Sequence, residues 1–364
     1  MVSRYALVTG ATGGLGRELV GQLLDAGYRV RATGRDVGIG AALESTFRHP
    51  GERRDPESHR TTLVTLGPGF RRDDDRRDDG GRGPGIEFIP ADLVVDPLEP
   101  LVADIDVVFH LAALSSPWGP VESFRAINIG ATARLLGAAR NAGCGAFIHA
   151  STPSIYTRWR DSIGITERSP LPARFINDYA ATKYAGECTV LAADAPGFRT
   201  VALRPRAIVG PHDSVLLPRL MRGAARGRLA MPGGGRALIE LTDARDVAAA
   251  FLAADRRREI AGGSAINLSG GDPRPLRDLL AMILGRSVRL TSVPTRVARV
   301  VASAMELAAR LRPGRPEPSI TRYTVAALGY SQTMCLDRAR DLLDWAPRYR
   351  SEAMIEHALG HRDA

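Results

Sequence analysis

The sequence predicts an α/β protein: a doubly wound parallel sheet carrying a smaller C-terminal lobe. Three observations predict it. Short, nearly continuous apolar runs alternate with amphipathic stretches up to about residue 210. A glycine-rich turn, "VTGATGGLG", follows the first run directly and opens the first amphipathic stretch. Beyond residue 210 the alternation thins and helix-like segments take over. Near-continuous apolar strands separated by helices suit a parallel sheet covered on both faces.

Taken in order, the strand-like segments are "YALVTG", "YRVRATGR", "IEFIPAD", "DVVFHLAA", "AFIHAST", "TVALRPRAIVG" and "SAINLSGG". Between them, "GRELVGQLLDAG", "SFRAINIGATARLLGAARNAG" and "DYAATKYAGECTVLAAD" read as helices. This divides the chain into a sheet domain over 1–205 and a lobe over 206–364, with 264–271 returning to the sheet. Residues 45–85 break the rhythm. They are rich in Pro, Gly and charge, and "RRDDDRRDD" is nearly neutral, so a solvated loop is expected there. In the lobe, "TRVARVVASAMELAARL" sets Val297, Val300, Val301, Ala304, Met305, Ala308 and Leu311 on one face, with Arg296, Arg299, Glu306 and Arg310 opposite. Packing of the apolar face on the lobe is the expectation; a membrane-surface or oligomer-contact helix is the alternative.

Composition narrows the function classes. Hydrophobic content of 44% over 364 residues suits a soluble globular protein. "MVSRYALVTG" enters the first strand without a secretory signal, and no apolar run approaches the ~18 residues of a membrane span. The three cysteines are scattered and the seven histidines form no ligand pair, so neither a disulfide framework nor a metal is expected. A cytoplasmic location follows as an expectation. The +9 charge comes from arginines spread along the whole length, with no nucleic-acid motif beside them.

The glycine turn points to a dinucleotide. Gly10, Gly13 and Gly16 let the backbone turn tightly and approach a pyrophosphate. Thr12, Gly14 and Leu15 complete the turn, whose helix-start N–H groups favour an anion. At the end of the second strand, Arg35 is the expected ligand of a ribose 2′-phosphate, which favours NADP(H) over NAD(H). Its neighbour Asp36 could pair with it or reach a ribose hydroxyl. Asp92 and Leu93 follow the third strand, where the Asp92 carboxylate can accept from an adenine amino group. Leu111, Ala112 and Ala113 end the fourth, small enough for a cofactor to lie against the backbone.

The chain has a single lysine, Lys183, four residues after Tyr179. On a helix this spacing shares one face, so an ammonium can approach a phenol. A phenol titrates near pH ~10 and needs help to act as acid or base at neutral pH. A cation about 4 Å away, at an effective dielectric of ~20, could supply roughly 4 kcal/mol. Ser151 and Thr152 end the fifth strand, and either hydroxyl could polarise a substrate oxygen. Asn128 could hold a water or a backbone kink behind the lysine.

Together these motifs resemble the extended branch of the short-chain dehydrogenase/reductase superfamily. TGxxGxxG, the strand-end aspartate, "HLAA", "NIGAT", the Ser/Thr strand end, YxxxK and "LRPRAIVGP" occur in that order. The resemblance implies a dinucleotide-binding Rossmann fold, Thr152 and Tyr179 as catalytic groups with Lys183 as partner, and Pro205 beside the nicotinamide. "VRATGRD" is similar to dihydroflavonol reductases, while "HLAALSSPWG" and the C-terminal segment are closer to 3β-hydroxysteroid dehydrogenase-like proteins, a group that includes reductases of 2-alkyl-3-oxoalkanoates. It also implies pairing of two copies beside "NIGAT", which has Ala131 where threonine is usual.

The expected activity is NADP(H)-dependent interconversion of a ketone and a secondary alcohol on an apolar small molecule. Ser115, Trp118, Tyr156, Trp159 and His212 are the expected lining of its site. A nucleotide-sugar epimerase or dehydratase is the alternative enzyme, against which stand Pro153 and Ser154 where sugar dehydratases carry acids. A non-catalytic NADP sensor is a third reading, disfavoured by retention of the lone lysine.

Overall fold

The structure, a computed structural model, describes residues 3–47, 85–213, 215–225, 227–285 and 288–360. The loop expected over 45–85 lies almost wholly outside the described residues. Seven parallel strands form the main sheet: β1 (Tyr5–Thr9), β2 (Arg29–Gly34), β3 (Ile86–Pro90), β4 (Val107–His110), β5 (Ala146–Ala150), β6 (Arg199–Pro205) and β7 (Ser264–Leu268). Their order is β7-β6-β5-β4-β1-β2-β3. Every strand-like segment read from the sequence is thus a strand of this sheet, and the return of 264–271 is real: Ser264 to Leu268 pair with Val201 to Pro205.

β1, β4 and β5 are buried on both faces, so their side chains must be apolar in both directions. One face is covered by α1 (Gly14–Asp25) and α5 (Ala244–Arg256), which bury Leu19, Leu23 and Phe251. The other carries α3 (Thr132–Asn141) and α4 (Asp178–Ala192) over Leu135, Phe147 and Val190. Between β2 and β3 lies α2 (Val37–Phe47). Strand order reverses between β1 and β4, whose paired residues Thr9 and His110 therefore flank the crevice where such sheets bind ligands.

The C-terminal lobe has its own core around Leu217, Ile239, Leu279 and Met354. α6 (Thr295–Leu311) and α7 (Arg322–Gly329) pack together on its rim. Here the expected packing is inverted. Ala298, Ala302, Glu306 and Ala309 face inward, whereas Val297, Val300, Val301, Leu307 and Leu311 are exposed, Leu311 by 79%. Small alanines allow α7 close in, and Glu306 turns inward to accept the Arg322 backbone N–H at 2.7 Å. No helix among the described residues is long and apolar enough to cross a membrane.

Candidate active site

At the head of β1 the chain turns through Gly10 with φ +69°, a conformation that favours glycine. A Cβ there would stand 2.9 Å from the Ala112 backbone nitrogen, so the turn and the end of β4 touch. Ala112 N–H also donates to Thr9 Oγ1 at 3.2 Å, fixing that approach. α1 begins behind Gly13 with no side-chain cap, which leaves its first N–H groups for an anion. This cradle fits a dinucleotide pyrophosphate. The His212 carbonyl oxygen lies 2.7 Å from where a Gly14 Cβ would be, so the His212 backbone borders the glycine turn.

Farther along the crevice, Arg35 is exposed and has no carboxylate partner among the described residues. Asp36 does not pair with Arg35: its carboxylate accepts the Ile39 N–H at 2.9 Å, at the start of α2. Thr33 Oγ1 is buried with no partner among the described residues. Asp92 lies two residues past β3, one carboxylate oxygen accepting from Val94 N–H at 2.9 Å. The Leu93 side chain is buried in the core. Leu111 and Ala113 are half-buried. Pro205 closes β6 beside Leu268.

Asn177 caps α4, its Oδ1 accepting Ala180 N–H at 3.0 Å. Tyr179, Lys183 and Glu187 then follow at four-residue intervals along one face. Burial raises the Tyr179 pKa above the ordinary phenol value, the nearby Tyr323 phenol adds to that, and hydrogen bonding with Thr152 and Ser115 opposes it. The lysine cation is absent from these influences, contrary to expectation. Lys183 is 2% exposed, and its ammonium donates to the Ala150 carbonyl and lies 3.4 Å from His149 Nε2.

Burial brings the Lys183 pKa down to about 8, partly offset by Glu187. Below that pH the folded protein carries a charge it disfavours; between 8 and the ordinary value near 10.5 the unfolded chain binds more protons, so stability rises with pH. Relative to a Lys183→Met variant, the wild type should gain roughly 3 kcal/mol across that window, read by denaturant titration at successive pH values. A gap independent of pH would mean that Lys183 titrates normally.

His149 and His110 lie stacked beneath the lysine, 5.3 Å between ring centroids. Burial and the Lys183 charge drive both pKa values down, to about 3 for His110, so both rings are neutral. A neutral His149 Nε2 can accept from the ammonium. Asn128 sits in a π-helical turn, Ala126–Ala131, between the Val121–Arg125 helix and α3. It clamps backbone and helix: Oδ1 accepts Leu114 N–H at 2.8 Å, and Nδ2 donates to Thr182 Oγ1 at 3.2 Å. Gly186 makes this possible, since a Cβ there would meet the Asn128 carbonyl at 2.4 Å.

The two hydroxyls ending β5 part company. Ser151 donates to Glu187 Oε2 at 2.6 Å, whereas Thr152 faces Tyr179 and donates to Ser154 Oγ at 3.0 Å. Glu187 also holds Arg204 through two bonds, one of 2.8 Å to Nε, and Arg204 donates to the Tyr156 hydroxyl. Tyr156 is therefore core, 1% exposed, and not part of a substrate lining. Trp118 and Trp159 pack on the lobe: Trp118 Nε1 donates to the Arg315 carbonyl at 2.9 Å, and Trp159 lies under Arg299 and Arg322. Ser115 alone of the expected lining is exposed beside Tyr179.

Sequence reasoning missed Tyr323, whose hydroxyl lies 2.8 Å from Ser154 Oγ, and His149. A tyrosine in the conspicuous "TRYTVAALGY" was the available signal for the first. Among the described residues no His, Cys, Asp and Glu side chains gather as a metal site.

Residues 6–269 match the NAD dependent epimerase/dehydratase family. The chain is 32% identical over 362 residues to the Escherichia coli K12 protein YbjS, whose name states no activity, covering 96% of this chain and 95% of that one. It is 30% identical to the 2-alkyl-3-oxoalkanoate reductase of Stenotrophomonas maltophilia, over 95% of this chain and 96% of the reductase. A UDP-glucuronic acid 4-epimerase from Bacillus cereus, solved with NAD, has the same fold: TM-score 0.70 at 22% identity, with 98% and 96% of the two chains covered. With the glycine turn, the sheet order and the Tyr179–Lys183 helix in place, the chain belongs to the NAD-dependent epimerase/dehydratase family, the extended short-chain dehydrogenase/reductases.

Proposed function

We propose that this protein is an NADP(H)-dependent oxidoreductase that reduces a ketone on an apolar small molecule, or oxidises the matching alcohol. One observation carries the reading: Tyr179 meets the Thr152 and Ser115 hydroxyls, with the buried Lys183 one turn on. The name of the Stenotrophomonas relative supports a ketone carried on an alkyl chain. A bound nicotinamide would supply the hydride for the carbonyl carbon, or accept the one leaving the carbinol carbon.

The chain's residues handle the oxygen. Tyr179, held protonated by burial, gives its proton to the carbonyl oxygen, and Thr152 steadies that oxygen through its hydroxyl. Lys183 would hold the nicotinamide ribose hydroxyls, with Pro205 beside the ring. Asn128 positions the 111–115 segment against α4 through Leu114 and Thr182. The pyrophosphate would lie on Gly10, Thr12, Gly13, Gly14, Leu15 and Gly16, with Asp92 toward the adenine.

Arg35 supports NADP, because Asp36 is engaged at the start of α2 and leaves the guanidinium open to a phosphate. In an Arg35→Ser variant, KM for NADPH should rise about 10- to 100-fold, the loss of one charge-assisted contact, with NADH kinetics unchanged. Equal effects on both cofactors would remove Arg35 from that role.

The test of the reading is NADPH oxidation against a panel of β-keto acids and esters, 3-ketosteroids, flavanonols and UDP-sugars. Turnover of one carbonyl class supports a reductase and names its substrate type. Interconversion of sugars without net NADPH consumption would replace it with an epimerase.

A further inference from the structure

The outer face of α6 is unusual for a surface helix. Val297, Val300, Val301, Leu307 and Leu311 are 50%, 69%, 46%, 59% and 79% exposed. At 100° per residue they join Ala304 and Ala308 in one stripe, about four turns long. Arg296, Arg299 and Arg310 run beside that stripe, and Arg312 and Arg315 follow it, all exposed. From residue 289 to 315 the sequence has six arginines and one acid, Glu306, which is turned inward. Arg296, Arg299, Arg312 and Arg315 have no carboxylate partner among the described residues, while Arg310 reaches Glu306 only at 3.7 Å.

An apolar stripe bordered by arginine alone discriminates between occupants. A second copy laid antiparallel would bring Arg296 and Arg299 against Arg310 and Arg312, which repel. A surface that is apolar beneath a layer of negative charge complements both features at once. We propose that α6 seats this protein on an anionic phospholipid bilayer, the valine–leucine stripe entering the acyl boundary and the arginines meeting lipid phosphates. The helix lies flat; it does not cross. This docking does not depend on the ketoreductase reading.

The position of α6 gives the docking a consequence for the site. Arg310 lies over Trp118 and Arg299 over Trp159, while α7, packed on α6, carries Tyr323 toward Ser154 and Tyr179. The helix that would meet lipid therefore packs directly on the one that brings Tyr323 to the hydroxyl cluster.

Sedimentation of the full chain with vesicles tests this directly. Phosphatidylcholine vesicles containing one-third phosphatidylglycerol should carry the protein down, and pure phosphatidylcholine vesicles should leave it in solution. A Val300→Ser/Val301→Ser/Leu307→Ser variant should lose about tenfold or more of that binding while retaining NADPH binding and the wild-type melting profile. These positions are exposed, so the fold does not depend on them. Equal failure to bind both vesicle types would overturn the proposal. So would a wild-type dimer, seen by sedimentation velocity, that the variant abolishes, since the stripe would then be covered by a second copy. Binding that survives the substitutions would place the lipid contact elsewhere.

Discussion

Tyr179→Phe should lower kcat for carbonyl reduction about a thousandfold while leaving NADPH affinity unchanged. The substitution removes one oxygen and nothing else. The glycine turn, Arg35 and Lys183 are untouched, so a fluorescence titration with NADPH should give the wild-type curve. The proton source is lost, and the hydroxyls of Thr152 and Ser115 face a hydrocarbon edge in its place. The pH profile should carry the same signature. Burial and Tyr323 raise the Tyr179 pKa, so the phenol keeps its proton throughout the neutral range. Reduction by the wild type should therefore be nearly flat at neutral pH, and oxidation of the alcohol should climb with pH as phenolate becomes available. A variant with more than a tenth of wild-type kcat would assign the proton to another group, with Tyr323 the next to test.

Glu187→Ala should cost about 3–5 kcal/mol of stability. The Glu187 carboxylate is 2% exposed and the Arg204 guanidinium 6%; together they make a two-point pair on which Ser151 and Tyr156 also converge. Truncating the acid strands a buried cation, and that cost dominates, since the net contribution of the intact pair over an apolar one is small. A Glu187→Leu/Arg204→Leu double variant should accordingly be more stable than Glu187→Ala alone. Denaturant midpoints for the three proteins check the order. Because Glu187 lies one turn beyond Lys183 on α4, the single variant should also lose kcat, through displacement of Tyr179 and Lys183 and not through chemistry of its own.

The parts of this architecture written in local patterns were legible. Each apolar run is long enough to span a sheet, and the glycine turn marks its reversal point, so the strand inventory and the dinucleotide cradle needed no tertiary information. Residues at i and i+4 share a helix face, and Tyr179–Lys183 obeys that; which neighbour the ammonium finds does not follow from spacing, and it finds Ala150 and His149. Tyr156 reads as an aromatic beside a site until Arg204, 48 residues away, supplies its partner. α6 shows the limit most plainly. Amphipathicity defines two faces, but alanine permits a closer approach than valine, and contact with α7 decided which face turned in.

The contact between Ser154 and Tyr323 joins positions 169 residues apart. During synthesis the glycine turn, Tyr179 and Lys183 leave the ribosome long before the segment that covers them. At ~5–20 residues per second the delay is on the order of ten seconds. A nascent chain thus holds a dinucleotide cradle that lacks both its roof and β7, the last strand of its sheet. Dinucleotide captured in that interval would stabilise the partly built sheet by mass action, so cofactor supply would act on the yield of folded protein before any catalysis begins.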